Sequence, residues 1–255
     1  MSLPTQPILT ADLLAPLNEE LVSLLRSVRD DEWNAPTAAG SWTVKDVAAH
    51  LLDTAMRRLS KIAIPDFEPN RANREWIVAM QRVSPRLLID MIERYGREQA
   101  ALLASLDPFA QAQWGVAWAG EEESLNWFDV ARELTERWHH QQQIRDALGR
   151  DPLFAPYLGP VIDTFVRGVP HAYRELAADE GTSIVLRVTD AWTLHRIDGQ
   201  WRLFTGADER PTTTITLDPD SAWRLFTKAR AKQEPRVEGD ARLAEPFLKM
   251  VCVIG

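Results

Sequence analysis

Leu13, Leu14, Leu17, Leu21, Leu24, Leu25 and Val28 recur at intervals of three and four, the spacing that lines one face of a helix. Thr10 stands where a cap would start that segment. A second segment opens at Thr43, where Thr43-x-x-Asp46 has the form of a capping box, and carries Val44, Val47, Ala48, Leu51, Leu52 and Ala55. A third begins at Ser84-Pro85, a cap followed by proline at the first helical position, and continues through Leu87, Leu88, Met91, Ile92, Tyr95, Leu102 and Leu106. A fourth runs from about Trp127 to Leu148 and stops at Gly149. Helices patterned this way bury their apolar faces against one another, which predicts a four-helix bundle. Two connections are long, and that of residues 65–83 has room for an extra short helix.

Residues 149–160 are rich in Gly and Pro and mark a boundary. After one more helix, over roughly 161–176, the pattern changes to strands: TSIVLRVT, AWTLHRI and QWRLF. Asp198-Gly199 between the last two is a two-residue hairpin signal. TTTITL, residues 212–217, adds a strand, Asp218-Pro219 starts a helix through Trp223, Leu225 and Phe226, and a last helix covers about 241–251. The chain therefore divides into a helical domain, residues 1–155, and a small α+β domain, residues 156–255.

Composition narrows the function. Of 255 residues 45% are apolar, enough for a real core, and the net charge is −8. An acidic chain has no basic excess to offset phosphates, which argues against a nucleic-acid or anionic-membrane binder. No apolar run approaches the roughly 20 residues that span a bilayer. The start, MSLPTQPILTADLL, lacks a cationic segment followed by a long apolar one, so no secretory signal is expected. Cys252 is the only cysteine, which excludes an internal disulfide and a cysteine-rich zinc finger. These features point to the cytoplasm.

The chain has five histidines: His50, His139, His140, His171 and His195. Glu136 and His140 are four apart on the fourth helix, so their side chains share a face and can bind one ion, with a third ligand from a facing helix. His50 sits mid-way along the second helix. Two histidines and a glutamate suit zinc with one position open, while nickel or iron is also compatible by ligand type. A helical wheel puts Glu136 and His140 beyond the edge of the stripe formed by Val130, Leu134, Trp138, Ile144 and Leu148, and His50 off the centre of its own stripe. That places them at a rim or cleft of the bundle. His139 falls farther from the stripe than His140, which is therefore the better ligand. Cys252, in the apolar segment MVCVIG, is expected to be a buried inert thiol, and His171 and His195 to have packing or solvent roles.

GSWTVKDVAAHLLD, residues 40–53, resembles the Trp-Thr-x-x-Asp-x-x-x-His-Leu signature of the DinB-like superfamily, and within it the mycothiol-dependent maleylpyruvate isomerase group. ELTERWHHQQQIRDALG, residues 133–149, is similar to that group's second motif. LFTKAR and RVEGDARLAEPFL look like its sterol-carrier-protein-like C-terminal domain. The resemblance implies a DinB-like four-helix bundle followed by that α+β domain, with metal ligation by His50, Glu136 and His140. It also implies an active-site arginine from the C-terminal half, for which Arg230 is the candidate. Many relatives carry Asp three residues after the ligand histidine. Here the residue is Gln143, placed to orient a ligand or to bind substrate, and Trp42 is placed to pack beside the ion.

An open metal position can polarise a carbonyl or hold a thiol as thiolate at neutral pH. With no promising cysteine in the chain, a thiol would arrive as a cofactor such as mycothiol or bacillithiol. The resemblance implies that it adds to a small electrophilic acid, permits rotation about the former cis double bond, and is eliminated as the trans isomer forms. S-transfer onto such an acid is a related outcome. Two alternatives stand beside this: a non-catalytic metal-binding stress or ligand-sensing module, and a zinc-water hydrolase. The hydrolase would need Glu133 or Glu136 as a base, and Glu136 cannot be both metal ligand and free base.

Overall fold

The computed structural model describes residues 3–62, 68–229 and 231–252. A helical N-terminal region precedes a mixed sheet with helices of its own. The capping signals decide where the long helices begin. Helix α1 (Ala11–Arg26) follows Thr10, although the threonine side chain makes no capping bond. Helix α2 (Val44–Ser60) opens on a complete capping box, in which Thr43 accepts from the Asp46 amide and the Asp46 carboxylate accepts from the Thr43 amide at 2.9 Å. The long connection after it holds α3 (Pro69–Met80), capped by the Glu68 carboxylate on the amides of Asn70 and Arg71. Helix α4 (Pro85–Ala104) starts at Ser84-Pro85, and α5 (Asn126–Ala147) lies within a residue of its predicted bounds. Among the described residues no helix is long and apolar enough to cross a membrane.

Two compact units can be distinguished. One takes in the described parts of Leu9–Pro108 and Glu136–Leu153, the other those of Met1–Ile8, Phe109–Thr135 and Phe154–Ile254. In the first, α1 and α2 pack against α4, and α3 against α2. Leu21, Leu25, Val47, Leu51, Leu88, Ile92 and Ile144 belong to one apolar cluster there. Helix α1 comes so close to α4 that the Asn18 side chain occupies the space a Cβ on Gly96 would need.

Helix α5 is of a different kind. Most of its residues from Phe128 to Ile144 are buried, and these include Asp129, Glu133, Arg137, His139, His140, Gln141, Gln142 and Gln143. Buried polar groups require partners, and several here are backbone groups of neighbouring segments. Gln141 Nε2 donates to the Leu17 carbonyl at 3.2 Å. Gln142 accepts from the Leu153 amide at 3.0 Å and donates to its carbonyl at 3.4 Å. Arg137 donates to the Leu51 carbonyl at 3.3 Å and to Asn18 Oδ1 at 3.2 Å.

In the second unit β1 (Leu3–Pro4), β2 (Ser183–Arg187), β3 (Ala191–Ile197), β4 (Gln200–Thr205), β5 (Thr213–Thr216) and β6 (Arg236–Gly239) form a sheet in the order β1-β4-β3-β2-β5-β6. Strands β2 and β5 run parallel and the other pairs antiparallel. Asp198 and Gly199 both take positive φ, +53° and +72°, as a tight hairpin with right-twisted strands requires. Their amides donate to the Glu180 carboxylate at 3.0 and 2.7 Å. The single helix expected over 161–176 is instead two, α6 (Leu158–Val166) and α7 (Val169–Ala172), divided where Gly168 and Pro170 interrupt the pattern. Helix α8 (Pro219–Phe226) follows its Asp218 cap. The last predicted helix shortens to a 3-10 turn, Ala241–Ala244, followed by α9 (Glu245–Leu248), with Pro246 restricting the junction.

The Gly96 contact makes a test of this packing. Gly96→Val would drive a side chain into Asn18, itself held by Arg137, and overpacking of that kind costs about 1–3 kcal/mol. Urea unfolding should show the loss as a lowered midpoint, and an unchanged midpoint would contradict the close approach.

Candidate metal centre

Helix α2 carries His50, and α5 carries Glu136 and His140. Their register is set by bonds on either side of His50. Arg137, next to Glu136, donates to the carbonyl of Leu51, next to His50. Trp76 of α3 donates its indole N–H to the carbonyl of Ala49 at 2.8 Å. Both carbonyls accept these bonds while remaining inside α2, so the segment bearing His50 is held from two sides.

The three side chains converge. Glu136 Oε1 lies 2.9 Å from His50 Nε2 and 3.2 Å from His140 Nε2. The candidate ligand atoms all fall within 4.8 Å of one another. The two imidazole rings meet edge to face, with centroids 4.8 Å apart. Trp42 packs on both, its ring 4.9 Å from that of His50 and 6.1 Å from that of His140. Gln143, one turn beyond His140, brings Oε1 within 2.7 Å of His140 Nδ1.

The rim position expected from the wheel is not what forms. His50 is 6% exposed and His140 4%, and the Glu136 side chain keeps 18%. The wheel treats a helix as having one buried face. Helix α5 is covered on all sides by groups that hydrogen-bond its polar residues, so distance from the apolar stripe says nothing about exposure there.

Proton inventory explains what this cluster can hold. An amide oxygen only accepts, so Gln143 fixes the His140 proton on Nδ1. In neutral His140 the Nε2 lone pair then faces Glu136 Oε1, acceptor against acceptor. His50 Nε2 can donate to the same oxygen, which leaves its buried Nδ1 with no hydrogen-bond partner among the described residues. A proton on His140 relieves the conflict, and so would a cation among the three groups. Two imidazoles and a carboxylate are a donor set that suits zinc or a neighbouring transition metal, so these residues fit such an ion.

Electrostatics prepares the donors. Burial lowers the pKa of His50, helped by the His140 and Arg57 charges and opposed by Glu136, so the ring is neutral at pH 7. Burial pushes Glu136 upward, but His140, His50 and His139 together hold it well below the usual carboxylate range. Asp53, one turn after His50, is raised by burial against the opposing pull of Arg57 and His50.

Of the other candidates, Arg230 lies outside the described residues. Buried Cys252 has its thiol pKa pushed well up by desolvation, as expected of an inert cysteine. His195 pairs with Asp208 at 3.2 Å in the sheet-bearing unit. Glu133 is buried and paired with Arg132 at 3.4 Å. The polar residues missed from the sequence are Arg137 and Asp53. Arg137 gave no signal, because an arginine off the apolar stripe reads as solvated. Asp53 did, through its i,i+4 spacing to Arg57 on the helix face of His50.

The family model described as the mycothiol maleylpyruvate isomerase N-terminal domain matches residues 14–145, more than half of the chain and a stretch that contains His50, Glu136 and His140. A crystal structure of the mycothiol-dependent maleylpyruvate isomerase superposes with a TM-score of 0.53 at 14% identity, covering 84% of this chain and 88% of that one. A histidine-to-alanine mutant of that isomerase gives a TM-score of 0.51 at the same identity and coverage. At such identity the likeness speaks for the fold: a helical N-terminal region and a mixed-sheet part. Among curated proteins nothing matches significantly.

The pKa shifts set a pH dependence for the metal-free chain. Unfolding lets His50 take up a proton near its ordinary pKa of about 6.5, whereas the folded site resists it. The stability this gives is full above about pH 6.5 and is lost as pH falls toward the lowered folded value. The depressed Glu136 acts in the same direction, its contribution being lost as pH falls from about 4.5. The urea midpoint should be flat above pH 7 and decline below 6.5, with a shallower decline in His50→Gln. A midpoint that rises on acidification would contradict both shifts.

Proposed function

The chain belongs to the family of the mycothiol maleylpyruvate isomerase N-terminal domain, and from that premise we propose that it is a metal-dependent enzyme that uses a low-molecular-weight thiol to isomerise, or to transfer sulfur onto, a small electrophilic acid. The observation that carries the proposal is the convergence of His50 Nε2, Glu136 Oε1 and His140 Nε2. In this reading residues 1–155 act as a DinB-like four-helix bundle and residues 156–255 as a sterol-carrier-protein-like domain. The enzyme works in the cytoplasm, without nucleic-acid or membrane partners.

Zinc is the proposed ion, with nickel the alternative, and when bound it supplies a Lewis acid that keeps a thiol such as mycothiol or bacillithiol as thiolate at neutral pH. The residues do the rest. His50 and His140 present Nε2 lone pairs, and the low pKa of Glu136 keeps its carboxylate charged. Gln143 holds the His140 Nδ1 proton and so its ring orientation. Trp42 covers both rings and limits water beside them. Cys252 is buried, with a raised pKa, which supports a thiol supplied from outside the chain. Arg230 remains the proposed cation from the C-terminal half.

The hydrolase reading is less well supported. Glu136 touches both histidines, and Glu133 is committed to Arg132, so neither is a ready base for a water.

Metal analysis of the purified protein should find about one divalent ion per chain, and His50→Ala should lose it; an unchanged metal content in the variant would sink the site. Gln143→Leu, which removes the Nδ1 acceptor, should weaken metal binding by about 10–100-fold. A panel of mycothiol, bacillithiol and glutathione with a cis-unsaturated keto acid should show turnover only with the matching thiol. Turnover without thiol would instead favour the hydrolase, and ligand binding without any turnover the sensor.

A further inference from the structure

Helix α2 carries a second charged pair on the face of His50. At about 100° per residue, positions three and seven beyond His50 fall within about 60° of it. These are Asp53 and Arg57. Side chains on a helix tilt toward its N-terminus, so Arg57 leans back along this row toward the histidine. The lean is visible in the ion pair, in which Arg57 Nε sits 3.0 Å from Asp53 Oδ2. Asp53 is 10% exposed at its side chain and Arg57 27%. The guanidinium therefore reaches solvent while its partner does not. Its charge also acts on His50.

Such a pair does little for folding. A solvated i,i+4 pair contributes a few tenths of a kcal/mol, and burial of the carboxylate subtracts from that, as its raised pKa indicates. What the pair does achieve is orientation. Asp53 engages the Nε edge of a planar fork whose geometry matches a second carboxylate. In a chain with a net charge of −8, an acid approaching the centre requires a local cation of this kind.

We propose that Arg57, oriented by Asp53, binds the carboxylate of the substrate beside the metal centre. The proposal rests on the metal-enzyme reading and narrows its substrate class to acids whose carboxylate stands several ångströms from the carbon that the thiol attacks. The seven-residue separation along α2, about 10 Å, less the backward reach of the arginine, sets that spacing. Asp53 acts through Arg57 and is a positioning residue.

The test uses the full chain loaded with zinc, and maleate, a small cis-dicarboxylate, as the probe in titration calorimetry. Arg57→Met should keep its zinc and bind maleate about 10–100-fold more weakly, the loss expected when one charge-assisted contact is removed. Arg57→Lys should fall between, and Asp53→Asn should weaken binding while leaving Arg57 in place. Uncharged dimethyl maleate should not distinguish the variants from the parent. With a turned-over acid the loss should appear in KM more than in kcat. If Arg57→Met fails to fold, the lysine and Asp53 variants decide. Equal maleate affinity in folded, zinc-loaded parent and variants would overturn the proposal, as would a parent that binds no maleate. A parent that takes up no zinc would overturn the metal reading instead, and the same titrations on the metal-free chain would then judge Arg57 separately.

Discussion

Arg137 is the interaction on which the centre depends. Its guanidinium is buried, and it bonds at once to the Leu51 carbonyl of α2 and to the Asn18 side chain of α1. A buried cation without partners would be costly, so the helices must meet in the register that serves it. That register sets Glu136 and His140 against His50. Gly96 belongs to the same arrangement, since it leaves the space into which Asn18 fits.

Where the sequence was legible, local chemistry set the outcome. The Thr43–Asp46 box, Ser84-Pro85, Asp218-Pro219 and the Asp198-Gly199 turn act within a few residues, and each starts or turns an element where predicted. The His50, Glu136 and His140 set was legible through two motifs and a family resemblance, and the model brings the three together. Their burial was not legible. Helix α5 hides polar residues by bonding them to the carbonyls and amides of other segments, and those bonds are long-range in sequence. Strands β1 and β6 were missed because both are short and mostly exposed, with little alternation to read.

The centre also illustrates how one carboxylate can organise two imidazoles. Glu136 Oε1 is shared by His50 and His140, while the outer nitrogen of His140 is tied to Gln143 and that of His50 is not tied at all. The two histidines are thus held unequally. His140 is fixed in tautomer and orientation by its own helix, whereas His50 depends on the backbone restraints around Ala49 and Leu51.

The amide at position 143 has an electrostatic consequence. Two neutral imidazoles and one carboxylate carry a single negative charge, so a divalent ion among them would leave the assembly with one unit of positive charge. A carboxylate in place of Gln143 would bring that sum close to zero. The amide holds the ring without adding charge, and the surplus would persist in a weakly solvated place, where it acts more strongly than in water. A centre of this kind would attract a single anion, thiolate or acid, more readily than a neutral molecule, within a protein whose total charge is strongly negative.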